Sequence, residues 1–197
     1  MQPTDWIWIA AAAVAALYAI TVYNHLVRLR NAMSNAFAQI DVQLKRRYDL
    51  VPNLVEVARK YLQHERETLE AVIAARNQAR SAATQARAHP EQAAAVLALG
   101  SAEGVLGGAI GRLMMVAEAY PELKADQTMR ELSEELQSTE NRIGFARQAY
   151  NDAVLSFNDR AGQFPANLVA RVLGFAQAAM LESTESPEER KAVRVQF

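Results

Sequence analysis

An uncharged apolar run of eighteen residues, WIWIAAAAVAALYAITVY from Trp6 to Tyr23, passes without a break signal into the polar stretch NHLVRLRNAMSNAFAQIDVQLKRRYDLVPNL. At 1.5 Å per residue the run makes about 27 Å of helix, close to the thickness of a hydrocarbon core, so one membrane crossing is expected. Trp6, Trp8, Tyr18 and Tyr23 cluster toward its two ends, where amphipathic rings settle at headgroup level. A cleaved signal peptide fits less well: the preceding MQPTD carries no basic residue, and Tyr18 to Tyr23 is a poor cleavage site. A buried core helix would be shorter and amphipathic. Arg28 and Arg30 follow the run, with Lys45, Arg46 and Arg47 further on, whereas Asp5 is the one charged side chain before it. The positive-inside rule then predicts an exported N-terminus and a cytoplasmic remainder.

Beyond one anchor, the 197-residue chain leaves about 170 residues, enough for one domain with a core. The expected division is residues 1–23 as exported terminus and span, 24–182 as a helical bundle and 183–197 as a charged tail. With 21 basic against 22 acidic residues the chain has no electrostatic footprint for nucleic acid. The absence of cysteine removes disulfides, zinc–thiolate sites and a nucleophilic thiol together.

Richness in Ala, Leu, Gln, Glu and Arg, with no hairpin dipeptide, predicts an all-α chain: a transmembrane helix continuous with a long antiparallel bundle of about four main helices, plus a short C-terminal amphipathic helix. Leu26, Leu29, Met33, Phe37, Ile40, Leu44 and Tyr48 recur at spacings of three and four, extending the membrane helix to Pro52. A second helix is expected from Asn53, with an Ala-rich, solvated second half, and Pro90 marks its boundary. A third runs from Glu91 or Gln92 to before Tyr120-Pro121 despite Gly104, Gly107, Gly108 and Gly111. Those glycines imply either close approach of another backbone or a local distortion. The fourth, capped by Asp126, carries a seam of Leu132, Leu136, Ile143, Tyr150, Val154 and Phe157 with coiled-coil spacing, along which Asn151 and Asn158 could fix register. Leu168 to Leu181 is too short to span and suits packing on the bundle, a neighbour or the bilayer face.

The segments YNHLVRLRNAMSNAFAQIDVQLKRRYDLVPNLVEVARKYLQHE, LMMVAEAYPELKAD, ELQSTENRIGFARQAYNDAVLSFN and FPANLVARVLGF closely resemble the LemA family of bacterial membrane proteins, and cover Tyr23 through Phe175 in order. DVQLKRRYDLVPNL, from Asp41 to Leu54, is the most specific block. The resemblance implies a single N-terminal transmembrane helix carrying a helical bundle, with no established catalytic activity.

Within that block, Asp41, Lys45, Arg46, Arg47, Tyr48, Asp49, Pro52 and Asn53 read as a structural corner held by ion pairs, with Pro52 enforcing a break and Asn53 capping the next helix. The functional alternative is a basic contact surface for a partner or acidic headgroups. No catalytic, cofactor-binding or metal residues are expected. His64-Glu65 begins an HExxH pattern, but Thr68 stands where the second histidine belongs, and no nucleophile, base and orienter occur together. These features, with the bacterial membrane setting that the resemblance implies, predict a non-enzymatic scaffold in the bacterial inner membrane. Its expected partners are the lipid bilayer, further copies of itself and other membrane proteins, because seam and tail offer more apolar surface than a small bundle buries. A regulatory or sensor adapter and a membrane-remodelling coat are the competing classes.

Overall fold

A computed structural model describes residues 3–181. Six helices follow in order: α1 Pro3–Arg59, α2 Arg66–Ala88, α3 Ala93–Ala117, α4 Pro121–Ala125, α5 Gln127–Gly162 and α6 Ala166–Val172, with no strand among the described residues. The expected all-α architecture holds. The charged tail 183–197 lies outside the described residues.

α1 does not end at Pro52. It runs on to Arg59, and Asn53 is an exposed residue inside it rather than a cap. A proline within a helix lacks the N–H that would bond the carbonyl four residues back, here that of Tyr48. Arg76 of α2 donates its Nε–H to that carbonyl at 2.9 Å. The orphaned acceptor is therefore satisfied from outside the helix, which local sequence could not reveal. The turn comes instead at residues 60–65, where three-residue backbone bonds from Lys60 to Val57 and Tyr61 to Ala58 tighten the end of α1. Leu62 is buried there, and the Tyr61 hydroxyl donates to Asp126 at 2.9 Å.

This arrangement makes a measurable prediction. Arg76→Met should cost about 1–3 kcal/mol, because it leaves the Tyr48 carbonyl unpaired. In a Pro52→Ala background the cost should largely vanish, since the alanine N–H closes the helical bond. Urea unfolding of the four members of the cycle measures the coupling, and equal costs in both backgrounds would refute the link.

The four long helices run up and down alternately. α1 packs along α5 and α2, and α2 along α3. Antiparallel register is visible in the pairs Phe37–Tyr150 and Arg46–Glu135 between α1 and α5, and in Asp41–Arg87 between α1 and α2. The Ala-rich half of α2 is not solvated on both faces: Ala75, Ala79, Ala83 and Ala86 are buried at spacings of three and four. Small side chains on that stripe let neighbouring helices lie close.

α5 begins as expected, with Asp126 Oδ1 accepting the Met129 N–H at 3.0 Å. Its seam faces inward. Leu136, Ile143, Tyr150, Val154 and Phe157 are buried and Leu132 partly so. The seam's part of the apolar surface expected to be spare is consumed within the chain, chiefly against α1, whereas Phe164, Leu168 and Val172 of the tail stay exposed.

The tail is a shorter helix than the apolar stretch suggested. α6 ends at Val172, and Gly174, at φ of +75°, turns the chain into an extended segment that returns along α5. The left-handed backbone there is what a glycine adopts without penalty. Asn158 and Asn151, expected to fix helix register, clamp this segment instead. Asn158 accepts the Ala178 N–H and donates to its carbonyl, both at 2.9 Å. Asn151 does the same at Leu181, at 2.9 and 3.1 Å. Between them the Tyr150 hydroxyl lies 3.1 Å from the Ala179 carbonyl and 3.2 Å from that of Pro90. Burial, with the Glu91 charge, pushes that hydroxyl up to about 12, so it stays a donor.

Candidate functional site

One residue of the basic triplet enters the interior. Successive residues of a helix are separated by about 100°, so Lys45, Arg46 and Arg47 cannot share a face. Lys45 and Asp49 are exposed, and Arg46 reaches sideways to Glu135 of α5, with Nε 3.0 Å from Oε1. Arg47 and Tyr48 are buried, and Arg47 is only 5% exposed. Asp41 meets Arg87 of α2 at 3.4 Å. The segment is thus not a corner but an uninterrupted length of α1 that staples the bundle together in three directions.

Arg47 Nη1 lies 2.9 Å from Glu103 of α3 and 3.0 Å from Glu140 of α5, so a single guanidinium joins three helices. The Tyr48 hydroxyl donates to the other oxygen of Glu103. Burial raises the Glu103 carboxyl above the usual carboxylate range, and the Arg47 charge and the Tyr48 hydrogen bond oppose that shift only in part. Burial and the adjacent Glu103 charge push the Tyr48 phenol up as well.

α3 makes close backbone contact with α2 rather than with α5, which leaves one side of the bundle open. Arg47 and Glu140 stand at the base of a groove of about 490 Å³ between α3 and α5. Its α3 wall is Gly104, Gly107, Gly108 and Gly111, and Ser133, Leu136 and Gln137 face it from α5. α3 runs unbroken through these glycines, so they do not distort it. Nor do Gly104, Gly108 and Gly111 admit a neighbour within the chain, because a methyl group on any of them would meet open space.

Sequence reasoning missed Glu103, although a signal was present. It is the one acidic residue of α3 and stands in phase with Leu99, Leu106 and Leu113, where an apolar residue belongs. An acid at a core position implies a buried partner. Trp6, Trp8, Tyr18 and Tyr23 are all exposed on the first part of α1, and Tyr23 meets the bundle edge to face at Phe175. Among the described residues no group of three His, Asp or Glu is placed to hold a metal ion. The groove offers shape, one carboxylate, that of Glu140, and a fixed cation: a surface for contact.

The sequence profile described as the LemA family matches residues 36–197. The protein named LemA of Metamycoplasma hominis is 25% identical over 162 residues, covering 82% of this chain and 69% of that protein. The magnetosome protein MamQ 2 of Paramagnetospirillum magneticum is 37% identical over 81 residues, 41% of this chain and 30% of its own. MamQ of Magnetospirillum gryphiswaldense is 32% identical over 78 residues, 40% and 29% respectively. The match spans under a third of the length of these magnetosome relatives.

Proposed function

The chain belongs to the LemA family, and from that premise we propose that it is a non-enzymatic scaffold of the bacterial inner membrane that self-associates and gathers other membrane proteins. The observation that carries this reading is α1, one helix of 57 residues whose first part is apolar and exposed and whose remainder is a wall of the bundle. A span and a cytoplasmic body joined without a flexible link hold one orientation relative to the bilayer, as a platform requires. Arg28 and Arg30 after the span support a cytoplasmic bundle.

The line Leu97, Ser101, Gly104, Gly108, Gly111 and Met115 of α3, exposed except at half-buried Gly104, supports self-association, since these residues recur at spacings of four and three with no charge among them. The full chain, extracted in mild detergent, should give one closed multisubunit particle by light scattering and electron microscopy. Gly104→Leu with Gly108→Leu should fill the groove and reduce the particle to a folded monomer of unchanged helical content. A homogeneous wild-type monomer would overturn self-association.

A further inference from the structure

We propose that α6, with Phe164 in the turn just before it, is an interfacial foot whose Phe164, Leu168 and Val172 seat in the headgroup layer of the phospholipid bilayer that α1 crosses. The inference rests on the reading of α1 as a membrane anchor and adds a second, independent lipid contact. Three observations carry it.

The first is level. The bundle starts on α1 at Val22 and Leu26, both fully buried, whereas the apolar residues before them are almost all exposed. From Trp6 to Tyr23 the helix rises about 26 Å, so a hydrocarbon core of about 30 Å ends close to Tyr23. Phe175, three residues past α6, places its ring 5.9 Å from that of Tyr23, edge to face, and α6 itself packs against α1. α6 therefore lies where the span leaves the bilayer.

The second is polarity of faces. Ala166 and Ala170 turn into the bundle and are buried. On the other face Leu168 is 55% exposed and Val172 85%, one turn apart, with Phe164 just before the helix at 80% and Leu173 just after it at 49%. Four large apolar side chains within ten residues, each about half exposed or more, form a patch that water penalises. The third is continuity. The apolar surface of α1 already demands lipid at this level, so the same bilayer reaches the patch without any further partner. Exposed Arg28 and Arg171 stand nearby, suited to extend toward phosphate while their stems lie on apolar surface.

The chain contains no cysteine, so single substitutions Phe164→Cys, Leu168→Cys and Val172→Cys each give one unique spin label. The full-length chain, reconstituted in phosphatidylcholine–phosphatidylglycerol vesicles, is read by power saturation with oxygen and with a water-soluble nickel chelate. Reference labels at Val14, in the span, and at exposed Gln148 on α5 set the hydrocarbon and aqueous limits. The three foot labels should show an oxygen-to-nickel accessibility ratio several-fold above that of Gln148 and below that of Val14. Ratios equal to that of Gln148 would overturn the foot, and so would shielding from both reagents, which would mean a protein surface covers α6. An aqueous Val14 label would instead overturn the anchor and the foot together.

Discussion

Replacing Arg47 by Met should lower the stability of the bundle by about 3–5 kcal/mol at pH 7, the cost of leaving a buried charge without its partner. Glu103, buried on α3, has only the Tyr48 hydroxyl left to compensate it. Glu140 is half exposed and can turn to water. The loss should also depend on pH in a defined direction. Glu103 is raised in the folded chain, so between its ordinary value and its folded one the native state binds a proton that the unfolded chain does not. The stability linked to this proton is complete below the ordinary carboxylate range and is lost as pH rises through the folded value.

Without Arg47 the carboxyl is pushed higher still, and the penalty should shrink as pH falls from 7 to about 5. Asp126 acts with the opposite sign. Its value is lowered by the Met129 N–H and the Tyr61 hydroxyl, and its contribution is lost only as pH falls below the ordinary 3.8. The interval from about 5 to 7 therefore isolates Glu103 from this cap. Urea unfolding of the detergent-solubilised full chain, followed by helical circular dichroism, measures both effects. Adding Glu103→Leu should restore most of the loss, since a buried pair can often be replaced by apolar residues without cost. A penalty independent of pH would show that Glu103 is not the group left stranded.

The second large effect belongs to Tyr150, which is fully buried with its ring 5.5 Å from that of Phe37 in an edge-to-face contact. Tyr150→Ala should cost about 3–5 kcal/mol through the cavity it opens between α5 and α1. Tyr150→Phe keeps the ring and should cost about 1 kcal/mol, the worth of one hydroxyl hydrogen bond. Hydrogen exchange of the Phe variant should rise locally at residues 178–181, which the hydroxyl helps to tether. If the seam served contacts between copies, Tyr150→Ala would change particle mass and leave the unfolding midpoint of each subunit in place. Equal costs for the Ala and Phe variants would refute internal packing of the ring.

Much of this fold was legible residue by residue. The spacing of Leu26, Met33, Phe37, Ile40, Leu44 and Tyr48 identified the buried face of α1, and all six are in the core. Asp126 was legible as a cap because the helical N-terminus needs a local acceptor for its unpaired N–H groups. Pro52 misled because its cost depends on whether the freed carbonyl, that of Tyr48, finds another donor, and the donor, Arg76, is 28 residues from it. Arg47 misled in the same manner. Three adjacent cations look equivalent in a string, yet the helical turn sends one of them inward, and its partners come from two other helices.

The sequence alone thus determined what depends on local period and composition: the apolar first part of α1, the helical class, the seam of α5 and the absence of a cysteine site. Tertiary structure decided what depends on which long-range partner arrives: α1 passing through Pro52, and the internal use of the seam. It also turned Asn151 and Asn158 from register residues into a clamp on the chain's own extended segment, and left the groove beside Gly104 and Gly108 unfilled. The physical reason is the same throughout. Periodicity states which groups must leave water, and only packing states what they meet when they do.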